Sequence, residues 1–324
     1  MSMVKEYGGY LPLELPRKEE YFSFCEEKEL LRLNCGRSTF FCAAKAAKAR
    51  KIFVPYLNCA NSTDPFDAAG IPYEFYRLDE DLTPRDIAPG EEDAVLWINY
   101  YGNAGEKQKQ KVFETYKTVI VDNCHAFFSK PVMRDGVYNC YSTRKFFGVA
   151  DGAYLIGKNL PSFSLEESFS AEDTLFILKT IELGTNALYA ENLKNEQRVA
   201  QTVAKMSKLT RRILSSVDYS EIQKIRFQNF CRLHRQLESL NEFAVNAETK
   251  THMYYPLLVT NDTLRTHLVE NRIYTPTWWR HVPDLCGNEG IESRLSRYML
   301  MIPMDQRYNE SDMDDIVTII RRFI

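Results

Sequence analysis

The chain has 324 residues, enough for a sizeable core and, by length alone, about two domains of roughly 150 residues each. A charged fraction of 26% with 13% aromatics excludes a disordered chain, and a formal net charge of −3 gives no global field for nucleic acid or an anionic membrane. The eight cysteines, at 25, 35, 42, 59, 124, 140, 231 and 286, form no CxxC pair, which argues against a zinc or redox motif and fits free thiols in a reducing compartment.

The opening segment, MSMVKEYGGYLPLELPRKEEYF, carries acids and prolines where a signal peptide needs a continuous apolar core. No apolar run approaches the ~20 residues that cross a bilayer. A cytoplasmic location with no membrane partner is expected.

From about residue 30 to 160, strand-like runs alternate with helical patterns. Ser38–Lys48 (STFFCAAKAAK) has helix-forming composition, and Lys51–Leu57 (KIFVPYL) reads as a strand. Ser62-Thr63-Asp64-Pro65 then offers a helix cap with proline early in the helix. Tyr73–Asp79 (YEFYRLD) and Ala94–Tyr101 (AVLWINYY) read as strands, Glu106–Tyr116 as a helix, and Thr118–Asp122 (TVIVD) and Ala153–Ile156 (AYLI) as strands. Alternation at this pace predicts an α/β fold, a mainly parallel central sheet with helices on both faces. Such sheets bind ligands outside the carboxyl ends of their strands, where Asp122, Asn58 and Asn99 to Gly102 lie.

Residues 170 to 245 look helical, with Leu193, Val199, Val203, Met206, Leu209, Ile213 and Val217 forming one apolar stripe suited to packing. Beyond them His252–Val259 and Tyr298–Pro303 are strand-like, while Thr263–Asn271 and Met313–Phe323 are helical. Ser311 and Asp314 make a pattern close to a capping box for the last helix. The expected organisation is a large α/β domain over 1–245, including an N-terminal arm and the helical segment 170–245. A smaller C-terminal α+β domain follows over 246–324.

The chemistry concentrates between Val119 and Lys158. Asp122 ends an apolar run, and Lys145 follows in a Tyr-Ser-x-x-Lys segment. A carboxylate that keeps a pyridine nitrogen protonated and an amine that bonds an aldehyde suit pyridoxal 5′-phosphate (PLP). An aspartate and a lysine in such places also serve simply as a loop cap and a solvated surface group. His125, three residues after Asp122, can reach the cofactor's phenolic oxygen or ring face, or be structural. Gly36, Arg37 and Ser38 open the first helix of the sheet, where free backbone N–H groups and the helix dipole favour a phosphate, and Ser142 can add a hydroxyl. Trp278-Trp279-Arg280-His281 is either an anion- and ring-binding cluster or a packed domain seam.

Taken in order, these segments resemble the DegT/DnrJ/EryC1/StrS family of PLP-dependent aminotransferases, which have the fold-type I aspartate aminotransferase architecture. Cys35-Gly36-Arg37 stands at the family's Ser-Gly-Thr phosphate loop, and Val54 to Asn58 at the strand-end segment after it. Asp79-Glu80-Asp81-Leu82-Thr83-Pro84 matches an Asp-rich turn, Asp122-x-x-His125 the Asp-x-x-Gln/His pair, and Lys145 the cofactor-bonding lysine. Gly152 falls in a Gly-Gly turn, and Tyr274 to Trp279 resembles the segment that opens the small domain's substrate edge.

The resemblance implies a homodimer with sites at the subunit interface. It also implies transfer of an amino group, usually from glutamate, to a keto-sugar nucleotide in polysaccharide or modified-sugar biosynthesis. Asn186 would reach the neighbouring subunit's PLP phosphate. Lys145, freed by the incoming amine, would act as the base. A lysine at this position, where a dehydratase offshoot of the family has histidine, argues against dehydration. Three departures stand out: Cys59 where the family has a ring stacked on the pyridine, Arg37 for threonine, and Asp151-Gly152-Ala153 for a Gly-Gly pair. Tyr100, Tyr101 or His125 are the candidates to supply a ring instead. Two alternatives remain beside the enzyme: a PLP-binding protein of this fold that does not transaminate, and an α/β domain in which Asp122 and Lys145 are structural.

Overall fold

The structure, a computed structural model, describes residues 7–324; the first six residues of the segment read above for a leader lie outside the described residues. The first half of the chain runs β1 (Leu30–Leu33), α1 (Gly36–Ala47), β2 (Ile52–Pro55), α2 (Asp64–Ala69), β3 (Tyr73–Leu78), β4 (Pro84–Arg85), β5 (Ala94–Ile98), α3 (Glu106–Thr115), β6 (Val119–Asp122), β7 (Val137–Ser142) and β8 (Ala153–Ile156). The second half runs α4 (Ala171–Leu183), α5 (Tyr189–Val199), α6 (Lys208–Leu214), α7 (Tyr219–Leu237), β9 (Tyr255–Leu258), α8 (Leu264–Glu270), α9 (Val282–Cys286), α10 (Ile291–Tyr298), β10 (Met299–Ile302) and α11 (Glu310–Arg321).

Eight strands form the main sheet in the order β1-β8-β7-β6-β5-β2-β3-β4. The pairings from β7 through β6, β5 and β2 to β3 are parallel, and those at β1–β8, β8–β7 and β3–β4, toward the edges, are antiparallel. This is the mainly parallel α/β sheet expected from the strand–helix alternation. Its central strands are apolar throughout because helices cover both faces. Ala94, Leu96 and Ile120 pack with α1, while Val95, Trp97, Val119 and Val121 point the other way, onto Val112 and Phe113 of α3. A small antiparallel sheet, β9–β10, forms the second layer. Its core joins Tyr255 and Leu257 to Phe230, Leu233 and Leu237 of α7 and Ile316, Val317 and Ile320 of α11.

Several local expectations need correction. β1 and β7 were not among the strands read from the sequence. β7 carries Asn139 at its centre, a residue that normally signals a turn. Here the amide is buried, accepts the Val132 N–H, and donates to the Val132 and Ile156 carbonyls, so it replaces ladder bonds rather than breaking them. The apolar stripe from Leu193 to Val217 is not one helix. α5 ends at Val199, and the chain leaves helical form where Lys205 bridges Leu33 and Glu167. Thr63 precedes α2 without a side-chain cap bond. The capping box of α11 is Asn309 with Asp312, not Ser311 with Asp314. Among the described residues no helix is long and apolar enough to cross a membrane.

Candidate active site

A cavity of about 480 Å³ opens at the carboxyl ends of the parallel strands, beside the start of α1. The register Ile98↔Asp122↔Cys140 sets Asp122 on the last rung of β6, at that edge. Gly36, Arg37, Asp122, His125, Ser142 and Lys145 all line the cavity; Ser38 and Asn186 do not. Cys35, Asn58, Cys59, Ser62, Cys124, Arg144, Glu196, Trp278, Trp279 and His281 line it as well.

Asp122 Oδ1 accepts the Cys124 N–H at 2.8 Å, a turn that fixes the carboxylate at the strand end. Lys145 sits on the loop between β7 and β8. The Phe146 and Phe147 N–H groups both donate to the Thr143 carbonyl, at 3.0 and 2.9 Å, and Thr143 Oγ1 donates to the Gly152 carbonyl at 2.8 Å. Gly152 has φ +118°, and a Cβ there would collide with Thr143 Oγ1, so the loop's return to β8 requires glycine. Asp151, where the family pattern has glycine, is buried and accepts bonds from the Ser207 N–H and the Ser207 and Thr210 hydroxyls, holding the start of α6.

The charges of Asp122 and Lys145 meet at Cys124. Burial pushes the Cys124 thiol well above its ordinary value; Asp122 adds to that rise and Lys145 opposes it. Burial, with a contribution from Lys145, holds His125 well below 6.5, so its ring is neutral. Among the described residues, His125 Nδ1 is buried without a hydrogen-bond partner, as is Ser62 Oγ, also lining the cavity. Unpaired buried polar atoms are costly, and atoms facing a cavity are free to meet a ligand.

The start of α1, also on the cavity wall, suits an anion. Cys35 precedes α1 in extended conformation with no side-chain cap, which leaves first-turn N–H groups unpaired by side chains. A Cβ at Gly36 would stand 3.2 Å from Cys124 Sγ, so glycine permits this close approach. Arg37 Nη1 lies 3.6 Å from Asp64, and its Nη2 donates to the Glu196 carbonyl at 3.4 Å. Arg144, which the sequence did not single out, is mostly buried and 3.7 Å from the Glu196 carboxylate; desolvation lowers its pKa. Ser38 turns away, its hydroxyl donating to Asn34 Oδ1 at 2.5 Å.

Neither tyrosine candidate for the missing ring reaches the cavity. Tyr100 is buried with its hydroxyl on the Leu57 carbonyl at 2.7 Å, and Tyr101 packs edge-on against Phe243. His125 does reach it, stacked on Trp278 at 4.4 Å between centroids. Lys145 Nζ lies 5.6 Å from the centroid of the same indole. Trp279 adopts φ +60°, an uncommon conformation for an aromatic residue, and packs edge-on to Tyr100. The two tryptophans thus divide the roles left open by the sequence: Trp278 faces the lysine, and Trp279 is mainly seam. Asn186 follows α4 and donates to the Tyr274 hydroxyl at 2.8 Å, in a separate cavity of about 400 Å³.

No family model and no curated protein matches the chain. Solved structures do. A DegT DnrJ EryC1 StrS aminotransferase from Brucella abortus is 15% identical over 91% of this chain and 85% of its own, with a TM-score of 0.58. DesI, solved in the presence of its TDP-sugar product, is 14% identical over 90% of this chain and 80% of its own, with a TM-score of 0.63. NtdA from Bacillus subtilis, with the cofactor PMP bound, is 13% identical over 90% of this chain and 73% of its own, with a TM-score of 0.59. The chain has the fold-type I architecture that these structures share.

Proposed function

We propose that this protein is a PLP-dependent aminotransferase. The observation that carries the reading is one cavity, at the carboxyl edge of a parallel sheet, lined by Asp122, His125 and Lys145 with Arg37 and Arg144 on the same wall. These residues fit the cofactor. The unpaired His125 Nδ1 and Ser62 Oγ, and the uncapped start of α1 beside two guanidiniums, are the polar groups a phosphorylated pyridine needs. When bound, PLP supplies the electron sink for amino transfer. Asp122 would hold the proton on the pyridine nitrogen, and His125 would stand by the ring. Arg37, Arg144, Ser142 and the N–H groups at Gly36 would take the phosphate. Lys145 Nζ would bond the aldehyde carbon and, once released, carry a proton to and from the substrate carbon.

The substrate reading is a keto-sugar nucleotide, with glutamate or a similar amino acid as donor, in polysaccharide or modified-sugar biosynthesis. It is supported by the likeness to DesI and by Trp278 and His281 on the cavity wall, which can stack on rings and contact anions. A cytoplasmic homodimer belongs to the same reading. One face of α4 exposes Leu175, Leu178 and Ile181, the last at 80%, which is apolar surface suited to a second copy of the chain. Asn186 follows that helix and would be carried with it toward the partner's site. Cys59, exposed on the wall where the family has a ring, favours a second reading, a PLP-binding protein that does not transaminate.

One experiment sorts these readings. The purified protein should be yellow and lose its visible band on Lys145→Ala. Glutamate should then bleach the wild-type band as the cofactor gains the amino group. A yellow protein indifferent to glutamate, and to every other amino acid offered, supports the non-transaminating reading. A colourless protein that takes up no added PLP overturns both.

A further inference from the structure

The loop that bears Lys145 is gripped from the second layer. Phe146, beside the lysine, is buried, and its carbonyl accepts Gln306 Nε2–H at 2.8 Å. Gln306, between β10 and α11, accepts Arg226 Nη1–H on its Oε1 at 2.9 Å. Arg226, on α7, stands over the Phe146 ring with its guanidinium carbon 4.8 Å from the centroid. Its Nη2 donates to the carbonyls of His252 and Met253, just ahead of β9. Backbone and ring of the residue next to the lysine are therefore both held by one hydrogen-bonded pair from the C-terminal half.

This arrangement is costly for packing alone. Arg226 is only 4% exposed, and among the described residues no carboxylate lies within ion-pairing distance of it. Burial pushes its pKa down to about 10 against a smaller opposing pull from Asp305, and its Nε has no partner among the described residues. An apolar side chain of similar volume would pack against Phe146 without that desolvation penalty. It would not supply a charge over the ring together with a directed link through Gln306 to the Phe146 carbonyl.

We propose that Arg226 and Gln306 are positioning residues for Lys145: they fix the 143–152 loop to the second layer so that the amine is presented to the cavity. The cofactor part of the test rests on the PLP reading; the loop part does not. Affinities for PLP and for pyridoxamine phosphate are compared in wild type, Gln306→Leu and Arg226→Lys, with amide hydrogen exchange of residues 143–152 measured on the same proteins. Pyridoxamine phosphate has no aldehyde and makes no bond to Lys145, so a misplaced amine weakens PLP alone. Gln306→Leu should lose about tenfold in PLP affinity, keep pyridoxamine phosphate affinity within about twofold, and exchange faster across the loop. Arg226→Lys, which keeps the charge, should fall between. A parallel fall in both affinities, or no change in either with unchanged loop exchange, overturns the proposal. Wild type that binds neither compound sinks the functional reading alone; the loop exchange then decides the clamp.

Discussion

The imidazole of His125 lies face to face with the indole of Trp278, ring centroids 4.4 Å apart and planes 15° from parallel. The pair joins the end of β6 to the loop ahead of α9 and covers the histidine so fully that it stays neutral. Removing the indole should let water reach the ring. In Trp278→Ala the His125 titration, followed by proton NMR, is expected to move up toward 6.5, while Trp278→Phe keeps it low. Loss of the stack and of the nearby lysine–indole contact should destabilise the protein by about 1–2 kcal/mol, read from denaturant melts.

Asp122 is the second target. An asparagine there can still accept the Cys124 N–H, so the fold should survive. What it loses, in the proposed function, is the charge that would keep a pyridine nitrogen protonated. Asp122→Asn is expected to slow the half-reaction with glutamate by about a hundredfold, measured in single turnovers, at nearly unchanged melting temperature.

The phosphate role proposed for Arg144 can be tested apart from ring recognition. Arg144→Gln should weaken PLP by about 10- to 100-fold, the worth of a charge-assisted hydrogen bond, and leave phosphate-free pyridoxal unchanged. Glu196, 3.7 Å from that guanidinium, works the other way. Glu196→Gln should tighten PLP severalfold, because the arginine then has no competing carboxylate.

The fold also carries a built-in acid sensitivity. His252 is buried against Phe230 at 4.4 Å between centroids, and burial pushes its pKa down to about 3, with a smaller push from His234. The unfolded chain takes its proton near 6.5, so between about 6.5 and about 3 the unfolded state binds more protons than the folded one. Stability therefore falls as pH falls through that window, with a slope of up to about 1.4 kcal/mol per pH unit, and is level above it. His125 adds in the same direction. Urea melts at about pH 7 and about pH 5 should show a smaller loss in His252→Gln than in wild type.

Much of the parallel sheet was legible because its central strands are short, apolar and bounded by helices. IFVP, AVLWI and VIVD leave few alternatives, and VIVD places Asp122 at the carboxyl edge of the sheet. β7 was hidden because Asn139 satisfies buried backbone groups through a three-dimensional arrangement that no local pattern announces. Arg144 was passed over because an Arg-Lys pair in a sequence looks solvated, whereas only the fold shows α5 bringing Glu196 to it. Ser38 read as a phosphate ligand, yet its hydroxyl has a nearer acceptor in Asn34. The clamp on Phe146 joins residues 80 and 160 positions apart, Arg226 with Gln306 and Phe146 with Gln306. Hydrogen-bond choice and distant pairing are tertiary properties, and they account for most of what sequence reading left out.

The thiol at Cys59 has a practical consequence. It is exposed on the cavity wall, whereas Cys35 and Cys124 on that wall are buried, and burial raises the Cys124 thiol well above its usual range. Thiolates, not thiols, react with alkylating reagents, so of the wall's cysteines this one is open to labelling. A small fluorophore attached there would stand on the cavity wall and is expected to change its emission as a guest enters. At the position where the sequence resemblance led us to expect a ring, this chain carries a chemical handle for watching the site fill.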